Sequence, residues 1–514
     1  MKSLLRRLLV ILIALSTIAV FHISALAQGA NGQARDISGT AIITDHAGFS
    51  SIKYLFNNKL WDNGKSEKIA QLTLEYEEGI GSLYLQFVYA YGDYQIINND
   101  SGATYAAGQD LFIHEFVDLV ECFGSAPSSV TISFENGPAY LTELDVFTPG
   151  DVPDSVQKWE HPAEGEVDLI LFSTHSDDDQ LFFAGLLPYY AVERGYEVLV
   201  VYLTDHYNTA PHRVHEILAG LWAVGVKTYP VIGHHQDFGD TKTVAAAFDK
   251  YDRLGHSREE LTGFVVEQLR RFKPMVVVGH DRKGEYGHIQ HQVYYQLVVD
   301  AVQVSHDPAA YPETAEQYGI WDVPKTYIHL YPENKIVMDW DQPMEKFDGM
   351  TPFEVSRDLG FAAHVSQQKG WSWYFEGQRT AAQITKYSPC RYGLYRSTVG
   401  EDSLKNDMFE SLTCYSDRKR QAEEETARLE AERLAEEARL AEEARLEEER
   451  RKQEEAAKAT TPATEPAATT PRTPDSSTPS KLKDSSMMIW LSVEMILIIL
   501  LIAIIVIRRR HNRR

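Results

Sequence analysis

From Val167 onward, three apolar runs, VDLILFST, YEVLVVYLT and PMVVVGH, alternate with the helix-patterned stretches DQLFFAGLLPYYAVERG, HRVHEILAGLWAVG and REELTGFVVEQLRRF. A strand that is apolar throughout has to be covered on both of its faces. This alternation therefore predicts an α/β fold, a parallel sheet with helices on both sides. Sites in such sheets lie beyond the carboxyl ends of the strands. Two polar clusters of this chain fall at such ends.

The first is THSDDDQ, residues 174–180. His175 and Asp178 are three apart at a strand-to-helix junction, so both can face one space, while Asp177 between them stays free for another task. The second is GHDRKGEYGHIQH, residues 279–291, in which His288 and His291 are again three apart, at the start of the helix through VYYQLVVDAV. Two His and an Asp, with water in the fourth position, make a hydrolytic zinc set. A nearby carboxylate outside that set can take a proton from the water. Taken singly, an Asp-rich turn is more often a solvated cap or calcium loop, and HxxH on a helix is weaker still. Two such clusters after strands of one βαβ unit predict convergence on a metal site.

THSDDD resembles the (A)HPDDE motif of the PIG-L/LmbE family of metal-dependent de-N-acetylases, and EYGHIQH resembles its GHxxH motif. LTDHYNTAPHRVHEILAGLWAVGV is similar to the family's helix with an R-x-x-E pair, here Arg213 and Glu216. The resemblance covers about 165–400 and implies a Rossmann-like catalytic domain over 165–415. It further implies a metal, zinc or another divalent ion such as ferrous iron, held by His175, Asp178 and His291. Asp177 would be the general base, His288 an imidazolium that stabilises the oxyanion, and Tyr286 a group that polarises the amide carbonyl. The implied substrates carry N-acetylglucosaminyl groups. Arg213 is a candidate for the substrate side of the site, and His280, directly after a strand, either for that side or for supporting the ligands from behind. Arg213 either binds an anionic group or pairs with Glu216, and the pairing is the expectation.

Three departures stand out: Ser176 for Pro, Asp179 for Glu, and Gln290 where an Asp often orients the neighbouring His. A neutral amide cannot support a charged His288 as a carboxylate would, which leaves Asp281 or Glu285 for that role. His234 and His235 either line the cleft or are solvated. Trp371, Trp373 and Tyr374 read as core packing, with stacking on sugar rings as the other use.

Around this domain the texture changes. Residues 36–150 hold short β-branched and aromatic runs (SLYLQFVYAY, YQIINN, SVTISFE) separated by Gly, Asn, Asp and Ser, the pattern of an all-β sandwich. The region resembles a discoidin-type, galactose-binding-like domain, which binds carbohydrate or only braces its neighbour. Residues 418–458 repeat EEARLA with Arg–Glu pairs at i,i+3 and i,i+4, predicting a solvated single helix, with a coiled coil as the alternative. A Pro/Thr/Ser linker over 459–486 and the apolar stretch 487–507 follow, then RRRHNRR over 508–514. About 20 apolar residues span a bilayer, and the basic flank belongs in the cytoplasm. With a secretory signal over 1–27, ending in Ala25-Leu26-Ala27, the expectation is a single-pass protein of the cell membrane. Its catalytic part would lie on the extracytoplasmic side and its C-terminus in the cytoplasm. Cys390 and Cys414 are candidates for a bridge, with free buried thiols equally open, and Cys122 is left over. A formal charge of −24 excludes nucleic acid as a partner, because a phosphate-binding face needs clustered Lys and Arg.

The functional expectation is a surface deacetylase of N-acetylated carbohydrate. The rivals are a glycan-binding protein without activity and a metal-dependent amidase of a non-sugar amide.

Overall fold

The computed structural model describes residues 32–459 except 47, 67, 68, 208 and 209. The expected signal peptide, the linker beyond Ala459, the apolar stretch 487–507 and the basic tail lie outside the described residues. Among those described, no helix is long and apolar enough to cross a membrane.

The N-terminal part is built from two antiparallel sheets. One has the order β1 (Ile42–Asp45), β3 (Ala70–Glu75), β8 (Ser129–Phe134), β5 (Tyr94–Asn98), β6 (Thr104–Ala107). The other runs β2 (Gly64–Lys65), β9 (Tyr140–Phe147), β4 (Ser82–Phe87), β7 (His114–Asp118). Strand β3 shows why two layers form: Ala70, Leu72 and Leu74 are buried while Gln71, Thr73 and Glu75 alternate outward, the period-2 signature of a sheet with one wet face. The buried set meets Leu83, Leu85, Val130, Ile132 and Leu144 in one apolar core.

The larger sheet has seven strands in the order β12 (Val231–His235), β11 (Val198–Thr204), β10 (Leu169–Ser173), β13 (Val276–Gly279), β14 (Lys325–His329), β16 (Arg391–Ser397), β15 (Lys335–Val337). The first five pair in parallel, and every residue of β10, β11 and β13 is buried. The expected α/β sheet is present, but it ends in two antiparallel strands, β16 and β15, that the alternation did not signal. Successive strands go outward from β10 through β11 to β12, and the chain then crosses back to β13 on the other side. Between β10 and β13 the sheet therefore has a topological switch point, where a crevice opens. THSDDDQ follows β10, and GHDRKGEYGHIQH runs from the last residue of β13 into the helix Ile289–Val304.

Ten α-helices are used here: α1 (Leu119–Phe123), α2 (Asp178–Leu181), α3 (Pro211–Ala223), α4 (Val244–Arg253), α5 (Arg258–Phe272), α6 (Ile289–Val304), α7 (Pro312–Tyr318), α8 (Pro352–Val355), α9 (Gln368–Phe375) and α10 (Tyr415–Ala459). Beyond Lys419 the chain is a separate unit. There α10 is exposed and carries ion pairs such as Arg433–Glu437 at 2.6 Å and Arg439–Glu443 at 3.2 Å. Leu429, Leu434, Leu440 and Leu446 are each about half exposed. Cys122, Cys390 and Cys414 are free thiols, so the candidate bridge does not form.

Sandwich and seven-stranded sheet share a buried polar junction within the first unit. His215 Nδ1 on α3 lies 2.7 Å from His114 Nε2 on β7, and His114 Nδ1 lies 2.6 Å from Gln157 Oε1. Since Gln157 Oε1 can only accept, His114 donates from Nδ1 and receives the His215 proton at Nε2. Burial pushes His114 down to about 4, against the Gln157 hydrogen bond, and holds His215 well below its usual range. The unfolded chain titrates near 6.5, so between these values it binds protons that the folded junction refuses. Stability contributed by the neutral pair is present above pH 6.5 and is lost as pH falls toward 4. The stability advantage of the parent chain over His114→Gln is expected to shrink by roughly 3 kcal/mol between pH 7 and pH 4. Denaturant titrations of both proteins at the two pH values check this, and a constant gap would contradict it.

Candidate active site

Strand β10 ends at Ser173, and the chain turns through Thr174–Asp177 into the single turn of α2. This turn brings His175 back over its own i+3 neighbour: Asp178 Oδ2 accepts the His175 backbone N–H at 2.7 Å. Helix α6 starts at Ile289 with His288 as its cap residue, so His291 lies in its first turn and enters the same crevice. His175 Nδ1, Asp178 Oδ2 and His291 Nε2 are then 3.0, 3.1 and 3.2 Å from one another. Bonds of about 2.0–2.2 Å to one divalent ion require donor atoms at such separations. The site is also poised for positive charge: despite burial, Asp178 and Glu285 push His291 up to about 10. A proton there is what a cation would displace. His280 Nε2 also approaches Asp178, at 3.7 Å, but it accepts the Thr174 N–H at 3.0 Å and has no lone pair left to give. The residues present fit a divalent ion at His175, Asp178 and His291.

Each histidine of the triad is turned by a carboxylate on its other nitrogen, the arrangement that fixes tautomer and ring orientation in metal sites. His291 Nδ1–H donates to Glu285 Oε2 at 2.6 Å, and His175 Nε2–H donates to Asp237 Oδ2 at 3.1 Å. Glu285 sits in the left-handed region at φ 49°, a costly backbone for a non-glycine residue. Its Oε1 lies 3.2 Å from His280 Nδ1 and 2.9 Å from His329 Nδ1. Glu285 thus serves His291 and not His288, contrary to one of the sequence-based expectations. His280 is buried beneath the triad and hydrogen-bonded to Glu285, which favours the supporting place over the substrate side.

Asp177 caps α2 without using its side chain on the helix. Arg213 Nη2 donates to its Oδ1 at 3.0 Å, while Oδ2 is buried with no partner. Burial and the neighbouring Asp178 push Asp177 up to about 6, against the pull of Arg213 and His175. A carboxylate near that value is ionised at neutral pH and still a competent base. The expected Arg213–Glu216 pair does not form. Glu216 instead accepts the Ser366 N–H and hydroxyl, both at 2.7 Å, because α3 turns Arg213 to the crevice and Glu216 to the segment after Phe361.

His288 packs between His175 and His291, with ring centroids 4.8 Å from each, and its Nδ1 is buried without a partner. Burial and those two rings push it down to about 3, so the ring is neutral at neutral pH. The resemblance implied an imidazolium here, and burial works against that charge. Gln290 does not touch it. Its amide donates to Tyr251 Oη at 2.6 Å and its carbonyl accepts the Phe238 N–H at 3.2 Å, propping the loop that carries Asp237. That loop presses its backbone on His288 at Gly239, where a Cβ would lie 2.3 Å from the imidazole. Asp179 is held by Gln180 at 2.7 Å, and burial raises it to about 8, so it stays protonated. Tyr286 is 39% exposed at the crevice mouth, its ring 5.4 Å from His288.

The structure thus brings together His175, Asp177, Asp178, Arg213, Tyr286, His288 and His291. It also adds residues that the sequence reading missed. Asp237 and His329 follow or end strands β12 and β14, so the strand-end rule was the available signal for both. His206 and His364 are buried near Arg213, and no spacing pointed to them. His234 and His235 line a separate surface groove.

Fold and site together define an α/β protein with a buried His–Asp–His cluster at its switch point whose donor atoms fit a divalent cation. The chain belongs to the PIG-L family, described as GlcNAc-PI de-N-acetylase, which matches residues 170–302. It is 30% identical over 210 residues to a 1D-myo-inositol 2-acetamido-2-deoxy-alpha-D-glucopyranoside deacetylase of Saccharopolyspora erythraea, spanning 36% of this chain and 72% of that protein. A protein of the same name from Catenulispora acidiphila is 27% identical over 214 residues, 38% of this chain and 65% of its own length. The chain thus spans just under two thirds of that relative. The solved N,N'-diacetylchitobiose deacetylase of Pyrococcus horikoshii aligns at 15% identity over 46% of this chain and 86% of its own, with a TM-score of 0.29, too loose a likeness to bear weight.

Proposed function

We propose that the protein is a metal-dependent deacetylase of N-acetylglucosamine-type groups on a cell-surface or extracellular glycan. The observation that carries this is the triad itself: three donor atoms 3.0–3.2 Å apart, beside a buried carboxylate with one oxygen free. When bound, a divalent ion supplies Lewis acidity for activating water and polarising an amide carbonyl. Zinc suits two nitrogens and one oxygen, and ferrous iron accepts the same set.

The protein's own residues do the proton work. Asp177 takes a proton from the attacking water at Oδ2 and returns it to the leaving nitrogen, since an amine leaves only when protonated. Arg213 holds the other oxygen, so the base cannot turn away. His288 supplies an N–H from a neutral imidazole toward the developing oxyanion. Tyr286, kept protonated by burial and by Asp178 and Asp177, is a second donor at the mouth. The product is a free amine and acetate. The leader over 1–27 and the apolar stretch 487–507 support an extracytoplasmic site tethered by a single span. The sandwich supports a carbohydrate-bearing partner surface, and the His114–His215 contact supports a bracing role beside it.

Metal-loaded protein is expected to release acetate from N-acetylglucosamine oligosaccharides, to stop on chelation and to resume when zinc is restored. No acetate at full metal occupancy would move the reading to a glycan-binding protein or a non-sugar amidase, which binding of the oligosaccharide then separates.

A further inference from the structure

Helix α9 carries four aromatic residues in its last five positions, and the structure divides them. Tyr374 and Phe375 are buried, with Tyr374 Oη donating to the Tyr387 carbonyl at 2.7 Å. Trp371 is half-buried, and Trp373 is 48% exposed. The expectation of core packing holds for Tyr374 and fails for Trp373.

These indoles continue the catalytic crevice. Trp371 lies 5.1 Å from Tyr286 and 5.6 Å from Phe182, ring centre to ring centre. Phe182 in turn lies 5.8 Å from His291, and Tyr286 lies 5.6 Å from the same ligand. Trp373 comes next outward, 5.6 Å from Trp371 with only 31° between their planes. A row of rings thus leads from the buried triad to solvent, ending on two adjoining indoles tilted 31° to one another. Leaving an indole exposed forgoes one of the largest apolar burials a side chain offers, and its packing in this protein does not require it. Indole faces carry negative quadrupolar charge, and the axial C–H edges of a pyranose are slightly positive, so a sugar ring lies flat on such a surface.

We infer that Trp371 and Trp373 form a platform for the pyranose ring next to the one that loses its acetyl group. The preferred substrate is then an oligosaccharide or polymer rather than a monosaccharide. The inference rests on the deacetylase reading and extends it to substrate length. A flat aryl or alkyl substituent is the rival occupant.

The test uses the full metal-loaded protein and Trp373→Ala, with Trp371→Phe as a second variant that preserves packing against Phe182 and Tyr286. Tryptophan fluorescence titrations use N-acetylglucosamine, its trisaccharide and an octyl glycoside of the monosaccharide, and acetate release is followed on the same three. The trisaccharide is expected to bind the parent chain and to bind Trp373→Ala about tenfold or more weakly. The parent's KM preference for trisaccharide over monosaccharide should collapse in the variant at unchanged kcat. Zinc stoichiometry should be unchanged in both variants. Equal loss on the mono- and trisaccharide would overturn the platform, as would octyl glycoside binding better than the trisaccharide. Trisaccharide binding that needs Trp373, without acetate from any sugar, would sustain the platform and sink the deacetylase reading. No trisaccharide binding overturns the platform whatever the acetate assay shows.

Discussion

Asp177→Asn is expected to keep a full equivalent of metal and to release acetate about a thousandfold more slowly than the parent chain. The substitution preserves shape, and Arg213 Nη2 still finds an oxygen at the Oδ1 position, 3.0 Å away in the parent. What changes is the free atom: an amide nitrogen replaces the unpartnered Oδ2 and can no longer accept a proton. The loss should appear in kcat, with KM nearly unchanged, because the residue acts on the water and the leaving nitrogen rather than on the resting sugar. Metal content by mass spectrometry and acetate release decide it together. If the variant loses metal, Asp177 is a ligand; if it keeps full activity, the proton goes elsewhere.

Glu285→Gln should weaken zinc binding roughly 10- to 100-fold without touching any atom of the triad. Its Oε2 accepts the His291 proton at 2.6 Å, while Oε1 faces His280, His329 and the Asp281 N–H. An amide has only one oxygen to offer. If that oxygen stays with His280 and His329, the NH2 group faces the His291 Nδ1–H. His291 must then move its proton to Nε2 and lose the lone pair that belongs to the metal. If the amide flips, the other two rings are orphaned in a buried site, at a cost of about 1–3 kcal/mol each. Competition against a chromogenic chelator measures the affinity, and an unchanged constant would show that His291 needs no such support.

These two residues differ in how far the sequence announced them. Asp177, with His175 and Asp178, was legible because an apolar run ended in three carboxylates, and His291 because i,i+3 spacing at a helix start presents both histidines to one side. Glu285 was visible in the same motif, but its partner was misjudged: a left-handed backbone at φ 49° turns it toward His291, and no composition rule reports that turn. Asp237 and His329 come from the ends of β12 and β14, far along the chain, and meet the site only through strand order. Arg213 looked like half of a helical ion pair because Glu216 is one turn away. Burial of Asp177 decided otherwise, since a buried carboxylate gains more from a charged partner than an exposed one. The antiparallel return of β16 and β15 had no marker either, because an edge strand such as KIV is too short for its period to show.

The His114–His215 contact has a consequence for anyone trimming the chain. His215 is two residues from Arg213 on α3, and the sandwich side of this joint supplies a proton acceptor that water would have to replace. Ile113 and Phe112 sit on Tyr229 beside it. An excision before Val167, tidy on a domain map, would therefore uncap a histidine and bare an apolar face one short step from the base. The sandwich steadies the helix that carries Arg213, and a fragment cut from this protein should include it.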